Sequence, residues 1–317
     1  MIVRDPLVFS TRSYGDLADS ITKLGGFHRG GMEERRFPDG EAYHRISSPV
    51  AGRHVVFVGG TVDERDTLEI YDIACGLVKY GAESLTLVVP YFGYSTMERA
   101  SKQGEVVKAK TRARLFSSIP LAGSGNRVLL LDLHSEGLPH YFEGGIRPVH
   151  VSARTLVEAE ARKLAGTEFV IASTDAGRAK WVEALANSLR VPAALVIKRR
   201  IDARKTEIVA VSAEVRGRDV VVYDDMIRTG GSLIEAAKAY LEAGARRIFA
   251  IATHGVLPGD SLARIRSSGL FQSVVTTDSH PRARELEGEF LSVVSVSDVF
   301  SRAIVGLEDP STMGGGA

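Results

Sequence analysis

Residues 220–233 read VVVYDDMIRTGGSL, and this stretch decides the fold. An apolar run ends in two carboxylates, Asp224 and Asp225, and a Thr-Gly-Gly-Ser turn then leads into the helix-forming sequence LIEAAKAYLEAG. A continuous apolar run is typical of a strand that helices bury on both faces. We therefore expect a strand, a ligand-binding turn and a helix, as found in open parallel sheets.

Similar apolar runs recur along the chain and alternate with stretches of helical period. They include HVVFVGG (54–60), SLTLVVP (84–90), RVLLLDLH (127–134), EFVIAS (168–173), RIFAIATHG (247–255) and SVVTTD (273–278). Strands and helices in this regular order predict an α/β fold with mostly parallel sheets flanked by helices.

The chain of 317 residues is long enough for two such domains. We expect a first domain at 1–148, a second at 149–305 and a flexible tail at 306–317. RVLLLDLHSEG and DVVVYDDMIRTGG both carry metal-binding or acidic side chains at a strand end. This similarity suggests an internal duplication, although the match is too short to establish one.

Composition excludes several classes of function. With 40 basic and 39 acidic residues the net charge is only +1, so no global field attracts nucleic acid or an anionic membrane. We find no apolar run near the ~20 residues that a membrane span needs. The single cysteine, Cys75, lies in an apolar helical pattern and is expected to be core filler. A lone thiol suits a cytoplasmic protein.

The turn after residue 227 has the chemistry of a phosphate site. Unpaired N–H groups at a helix start bind anions, and the hydroxyls of Thr229 and Ser232 add donors. Gly230 and Gly231 let the backbone approach the ligand closely. The preceding carboxylates repel phosphate, so they suit sugar hydroxyls or a metal ion.

Five further motifs lie at turns or strand ends. FPDGE (37–41) predicts an exposed hairpin turn, and PYFGY (90–94) and DLH (132–134) each follow an apolar strand. STDAG (173–177) joins a strand to a helix, with Asp175 suited to cap it. The basic run KRR (198–200) ends another strand and precedes a polar stretch.

Together these motifs resemble those of the phosphoribosyl pyrophosphate synthetases, from FSTRSYGDLA at residue 9 to SVSDVF at residue 295. The resemblance implies two tandem domains like those of type I phosphoribosyltransferases. It implies transfer of the β,γ-diphosphate of ATP to ribose 5-phosphate, with Mg²⁺ as the cofactor. It also implies a dimer-based homo-oligomer, up to a hexamer.

The same resemblance assigns roles to individual residues. The catalytic residues would be Lys198 and Arg200, on a flexible loop. ATP would contact Phe37, Asp39, Glu41, Arg99 and His134, with the first three coming from a neighbouring subunit. Ribose 5-phosphate would contact Asp224, Asp225, Arg228, Thr229, Gly230, Gly231 and Ser232. The metal contacts would be His134 and Asp175. The sequence offers no evident general base.

This chain departs from the family pattern at three places. YSTMERA (94–100) replaces the family's YARQDRK, so that Thr96 and Met97 stand where an arginine and a glutamine normally help to hold ATP. DLHSEGLPHYF replaces DLHxxQIQGFF, and Arg228 stands where many relatives carry an aspartate. Two alternatives therefore stay open: a non-catalytic partner of a synthetase, and a phosphoribosyltransferase that acts on a base.

Overall fold

The computed structural model describes residues 6–200 and 206–308. The chain forms two compact units. One comprises the described residues up to Ser152 together with those from Ser295 onward, and the other comprises Ala153–Val294.

The first unit alternates strands and helices. Its elements are β1 (Leu7–Ser10), α1 (Gly15–Gly25), β2 (His28–Arg29), β3 (Met32–Arg36), β4 (Ala42–Ile46), β5 (His54–Val58), α2 (Glu64–Lys79), β6 (Ser84–Val89), α3 (Lys108–Ser117), β7 (Asn126–Leu131) and β8 (Ile146–Val151). Among the described residues, six parallel strands form one sheet in the order β2-β1-β5-β6-β7-β8. β3 and β4 form a separate antiparallel hairpin, as the sequence predicts.

The second unit repeats this plan. Its elements are α4 (Arg154–Ala165), β9 (Phe169–Ser173), α5 (Ala179–Leu189), β10 (Ala193–Ala194), β11 (Val196–Arg200), β12 (Thr206–Val211), β13 (Asp219–Ile227), α6 (Gly231–Glu242), β14 (Arg247–Gly255), α7 (Ser261–Ser267), β15 (Ser273–Thr277), α8 (Pro281–Glu285) and β16 (Leu291–Val294). The described strands pair in parallel in the order β10-β9-β13-β14-β15-β16, and β11 and β12 form an antiparallel hairpin. The predicted fold class, two α/β domains with parallel sheets, is confirmed.

The final helix, α9 (Ser297–Glu308), packs against α1 and so belongs to the first unit. Its apolar face buries Phe300 and Ile304, and α1 buries Leu17 and Ile21. The domain division proposed from the sequence had placed residues 149–305 together. The tail proposed from residue 306 starts inside α9, and residues 309–317 lie outside the described residues.

The matching strand orders identify the duplication more closely than the sequence does. β7 and β15 occupy the same place in the two sheets, and each runs into an Asp-x-His sequence, at Asp132–His134 and Asp278–His280. β13 corresponds instead to β5. The suggested equivalence of RVLLLDLHSEG and DVVVYDDMIRTGG was therefore wrong, because it matched a fifth strand of one sheet to a third strand of the other.

Both cores fill with the side chains of these strands. Strands β6 and β9 are buried at every position. The apolar runs in the sequence have this origin, since both faces of each sheet are covered by helices. Among the described residues, no helix combines the length and the apolar character needed to cross a membrane.

An ion cluster with a buried carboxylate and two half-exposed arginines lies at the start of β13. Asp219 is 1% exposed, and the strand register sets it beside Arg247. The Arg246 guanidinium donates two hydrogen bonds to the Asp219 carboxylate, both of 2.8 Å, and Arg247 donates two more of 3.1 and 2.5 Å. These bonds lower the pKa of Asp219 well below its ordinary value.

Replacing Asp219 by Asn should lower the free energy of unfolding at pH 7 by about 2 kcal/mol, the scale of hydrogen bonds to a charged group. Because the pKa of Asp219 is depressed in the folded state, its stabilisation is present above pH ~4 and is lost as the pH falls. Urea unfolding of both proteins should therefore give a smaller difference at pH 3 than at pH 7.

Asp298→Asn provides the control, because Asp298 forms an ion pair of 2.7 Å with Arg302 on the exposed surface of α9. Asp298→Asn should lower the free energy of unfolding by less than about 0.5 kcal/mol. Equal losses for the two variants would contradict a special role for the Asp219 cluster.

Candidate functional site

A crevice is expected where β9 and β13 lie side by side. From β9 the chain moves to β10 on one side, whereas from β13 it moves to β14 on the other. Open α/β sheets bind ligands beyond the carboxyl ends of such a strand pair. The pairing of β9 and β13 ends at Ser173 and Tyr223, immediately before Thr174 and Asp224. The polar residues that follow both strands therefore meet at one edge of the sheet.

Asp224 and Asp225 form a tightly held carboxylate pair at this edge. The Thr174 hydroxyl donates to Asp224 Oδ2 (2.9 Å), and the Asp225 amide donates to Asp224 Oδ1 (2.9 Å). Arg178 Nη2 lies 2.6 Å from Asp225 Oδ1, and Arg178 Nε lies 3.9 Å from Asp224 Oδ1. The side chain of Asp225 is only 4% exposed.

Burial, followed by the charge of Asp225, raises the pKa of Asp224 above its ordinary value. A carboxyl group that keeps its proton can donate a hydrogen bond as well as accept one, and a sugar hydroxyl needs both kinds of partner. Arg178 was not predicted as a site residue. Its only signal in the sequence was its position directly after the STDAG turn.

The turn between β13 and α6 has the geometry of an anion site. Gly230 has a φ of 76° and precedes the first residue of α6, and no side chain caps the helix. No acidic residue lies in the first turn of α6. The side chains of Arg228, Thr229 and Ser232 are exposed beside it. The first amides of a 12-residue helix therefore face an open position with no competing carboxylate.

The helix at the corresponding place in the first unit, α2, has the opposite character. The Asp63 side chain caps α2 by accepting a hydrogen bond of 2.8 Å from the Asp66 amide. Glu64 and Asp66 add negative charge to its first turn. These carboxylates disfavour an anion at the first amides of α2, so of the two helix starts the one at α6 is the better suited to bind phosphate.

Asp175 begins the short 3₁₀ helix at Ala176–Arg178. Its Oδ1 accepts a hydrogen bond of 2.8 Å from the Gly177 amide. The capping role expected from the sequence is confirmed. The side chain is half-buried and lies on the loop that also carries Thr174 and Arg178.

The FPDGE segment forms the tip of the β3–β4 hairpin. The Phe37 amide donates to the Glu41 carbonyl (2.9 Å), and the Glu41 amide donates to Asp39 Oδ1 (3.1 Å). Gly40 supplies the left-handed conformation that the turn requires, with a φ of 94°. The Phe37 ring is 39% exposed and packs edge-on against Tyr43 at 5.9 Å. The hairpin therefore presents an aromatic ring to solvent within this chain.

The loop after β7 places the other first-unit residues. Asp132 is 4% exposed with a φ of 35°, and its amide donates to the Val151 carbonyl (3.0 Å). His134 follows it and is half-buried. Arg99 lies on a different loop, where its side chain is 82% exposed and its Nε is 3.5 Å from the Glu98 carboxylate. Arg99 is thus not fixed by packing.

Lys198 and Arg200 lie on β11, whose backbone runs antiparallel to β12. Their side chains lie outside the described part of the structure. Both residues belong to the β11–β12 hairpin. In chain order this hairpin follows the edge strand of the second sheet, just as the β3–β4 hairpin follows the edge strand of the first.

The described residues contain no group of three or more His, Cys, Asp or Glu side chains placed to hold a metal ion.

Comparison with known proteins gives a consistent result. Residues 7–119 match the family model described as the N-terminal domain of ribose phosphate pyrophosphokinase. Residues 169–315 match the model described as the phosphoribosyl synthetase-associated domain.

Curated relatives match along nearly the whole chain. A ribose-phosphate pyrophosphokinase of Fusobacterium nucleatum is 31% identical over 94% of this chain and 93% of its own length. One from Synechococcus elongatus is 31% identical over 96% and 92%. The crystal structure of phosphoribosylpyrophosphate synthetase from Mycobacterium smegmatis has the same fold, with a TM-score of 0.84 and 24% identity over 96% of this chain and 99% of that one.

The turn before α6 can be tested with Gly230→Ala. The new Cβ would lie 2.6 Å from Ile265 Cγ1, in a backbone conformation that L residues rarely adopt. We expect the affinity for inorganic phosphate to fall at least tenfold, since the α6 amides must shift to relieve the contact. Titration calorimetry would measure this change.

Gly217→Ala is the matched control, because Gly217 has a similar φ of 72° and no atom within 4 Å of an added Cβ. The Gly217→Ala change introduces backbone strain but no steric contact. It should lower the free energy of unfolding by about 1 kcal/mol and leave phosphate affinity unchanged. If both variants bound phosphate equally well, the anion site would not lie at this turn.

Proposed function

Because this chain belongs to the ribose-phosphate pyrophosphokinase family, we propose that it makes 5-phosphoribosyl 1-pyrophosphate. It transfers the β,γ-diphosphate of ATP to the 1-hydroxyl of ribose 5-phosphate and releases AMP. The single cysteine fits action in the cytoplasm.

The observation that carries this proposal is the pairing of an uncapped helix start with two carboxylates at one strand end. The phosphate of ribose 5-phosphate binds the turn formed by Arg228, Thr229, Gly230, Gly231 and Ser232. Its ring hydroxyls bind Asp224 and Asp225. A ligand with an anion at one end and hydroxyls at the other matches this order of groups.

ATP binds residues of the first unit. Its phosphates contact His134 and Arg99, and its adenine is covered by Phe37, Asp39 and Glu41 of a neighbouring subunit. The exposed Phe37 ring at the hairpin tip supports a role for this segment against another chain. The protein therefore acts as a dimer-based homo-oligomer.

Mg²⁺ bound to the ATP phosphates would contact His134 and Asp175. It would neutralise phosphate charge and make the β-phosphorus more open to attack.

In the reaction, the 1-hydroxyl oxygen of ribose 5-phosphate attacks the β-phosphorus of ATP. A new oxygen–phosphorus bond forms, and the bond from the β-phosphorus to the oxygen bridging it to the α-phosphate breaks. That oxygen leaves with AMP, and the hydroxyl proton passes to solvent, because no side chain is assigned as the base. Lys198 and Arg200 stabilise the charge that develops between the entering and leaving oxygens.

A non-catalytic partner of a synthetase is the second candidate, and Thr96 and Met97 favour it. The deciding experiment incubates the full chain with ribose 5-phosphate and Mg-ATP and follows the products by phosphorus NMR. AMP together with a 1-diphosphate ester supports the synthetase. Absence of AMP at high enzyme concentration would reject it, and release of pyrophosphate from added product with a base would indicate a phosphoribosyltransferase.

The β11–β12 hairpin, which carries Lys198 and Arg200, gives a prediction about catalysis. Lys198→Ala and Arg200→Ala should each lower kcat at least ~100-fold with little change in KM, because their contacts form mainly in the transition state. Lys238→Ala, an exposed change on α6, controls for the loss of a positive charge. Near-normal turnover in the first two variants would remove these residues from catalysis.

The carboxylate pair of Asp224 and Asp225 gives a prediction about ligand binding. Asp225→Asn should weaken binding of ribose 5-phosphate about tenfold, because a hydrogen bond to a charged group is lost. ATP binding should change less than about twofold. Titration calorimetry of both ligands tests this, with the exposed Asp16→Asn in the first unit as the control. The reverse pattern would assign the pair to the nucleotide.

A further inference from the structure

The loop after β6 carries Thr96 and Met97 where the family pattern described above has an arginine and a glutamine. Thr96 and Met97 occupy the short 3₁₀ helix at Ser95–Met97, and neither side chain can replace a guanidinium in binding phosphate. Arg99 is 82% exposed and is not fixed in place. Two other cations, from helix α3, reach the same loop.

Lys108 and Arg112 lie one helical turn apart on α3, so their side chains share one face. Lys108 Nζ is 4.6 Å from the centroid of the Tyr94 ring, and the guanidinium carbon of Arg112 is 5.2 Å from it. Tyr94 directly precedes the 3₁₀ helix that carries Thr96. Both cations are thus held beside the loop in which the family's arginine is missing.

The backbone fixes the position of Tyr94. Its φ of 62° lies in the left-handed region, and the preceding Gly93 amide donates a hydrogen bond of 2.6 Å to Thr61 Oγ1. A Cβ on Gly93 would lie 2.0 Å from the Thr61 carbonyl oxygen, so this close approach requires glycine. The loop follows β6 at the carboxyl edge of the sheet, where open α/β sheets bind ligands.

Glu64 occupies the space between these groups. Its Oε1 lies 3.3 Å from Lys108 Nζ and 3.4 Å from Arg112 Nη2, and it accepts a hydrogen bond from the Tyr94 hydroxyl. One carboxylate faces two cations, which leaves an excess charge of +1. The Glu64 side chain is 58% exposed, whereas that of Arg112 is 18% exposed.

Arg112 also retains unused hydrogen-bonding capacity. Its Nε is buried and has no hydrogen-bond partner among the residues that the structure describes. A buried donor without a partner costs free energy, so an incoming acceptor that reaches it is favoured.

We propose that Lys108, Arg112 and Tyr94 form an anion subsite that binds the polyphosphate of the nucleotide, in place of the arginine absent at residue 96. This inference rests on the proposed function, because the nucleotide is that reaction's donor.

The charge balance favours a ligand with several negative oxygens. Glu64 satisfies only part of the positive charge, and its exposed side chain can turn to solvent when a ligand carrying several negative oxygens arrives. A guanidinium beside an ammonium offers more donors than one carboxylate can use. Glu64 therefore acts as a competitor for the subsite.

The other cations of α3 face different partners. Arg114 Nε pairs with Glu143 at 3.0 Å on the exposed surface, and Lys110 Nζ lies 5.8 Å from the Tyr141 ring. Arg114→Ala is therefore a matched control that removes the same charge from the same helix.

The test is titration calorimetry of the full chain with Mg²⁺ and α,β-methylene-ATP, which cannot release AMP. Arg112→Ala and Lys108→Ala should each weaken binding at least tenfold, whereas Arg114→Ala should change it less than twofold. Glu64→Gln should tighten binding about threefold or more. Lys108 is 40% exposed, so its variant remains informative if Arg112→Ala fails to fold.

The response to Glu64→Gln separates a ligand subsite from a structural cluster. If these residues only stabilised α3, then removing Glu64 would weaken nucleotide binding as removing Arg112 does, and that result would overturn the proposal. Equal weakening in Arg112→Ala and Arg114→Ala would overturn it as well, since general charge would then explain both. Adding Thr96→Arg to Arg112→Ala should restore at least half of the lost affinity on a logarithmic scale.

Failure of this subsite is distinguishable from failure of the proposed function. A wild-type chain that releases AMP from ATP and ribose 5-phosphate, with unchanged nucleotide affinity in Arg112→Ala and Lys108→Ala, retains the function and rejects the subsite. A wild-type chain that binds the analogue through Lys108 and Arg112 but releases no AMP retains the subsite and rejects the function. A wild-type chain that binds no analogue rejects the subsite.

Discussion

Burial of the central strands on both faces is the constraint on which the rest of the structure depends. A strand covered by helices on each side has no solvent-facing positions, so charged side chains are confined to its ends. Parallel pairing then brings those ends to one edge of the sheet. Asp224 and Asp225 lie together with Thr174 for this reason, although 50 residues separate Thr174 from Asp224 in the chain. The polar side chains therefore gather at one edge of the sheet because the middle of the sheet is packed with apolar side chains.

The same constraint explains how much the sequence reveals. The apolar runs predicted the strands, the order of strands and helices predicted parallel sheets, and Pro38-Asp39-Gly40 predicted the hairpin turn. Arg178, Lys108 and Arg112 were missed because arginines and lysines on amphipathic helices are ordinary surface residues in a sequence. Only the tertiary structure shows that Arg178 faces Asp225 and that Arg112 faces Tyr94. Likewise, short motifs at strand ends could not show which strands correspond between the two halves, since that depends on strand order across the sheet.

The two units show how one topology serves different chemistry through a few side chains. The helix after β5 is capped by Asp63, whereas the helix after β13 begins at Gly230 with no side-chain cap. The two Asp-x-His sequences, at Asp132–His134 and Asp278–His280, also differ in the contacts of their side chains. Around Asp278–His280, the Ser279 hydroxyl contacts His254 Nδ1 at 2.8 Å and His280 caps α8, so the second-unit copy is used in packing. His134 in the first-unit copy stays half-buried at the edge of its sheet.

The carboxylate pair also limits which ligands the second unit can accept. Asp225 is almost fully buried, and its charge is compensated by Arg178 at 2.6 Å. Any ligand that separates this ion pair must itself donate to the carboxylate, because an uncompensated buried charge costs several kcal/mol. A sugar with adjacent hydroxyls meets that requirement at the carboxylate pair, whereas a phosphate placed there would add negative charge beside Asp225. If the second unit binds ribose 5-phosphate as proposed, its selectivity for hydroxyls at this pair would come from the penalty of leaving Asp225 unpaired as much as from the contacts of the correct ligand.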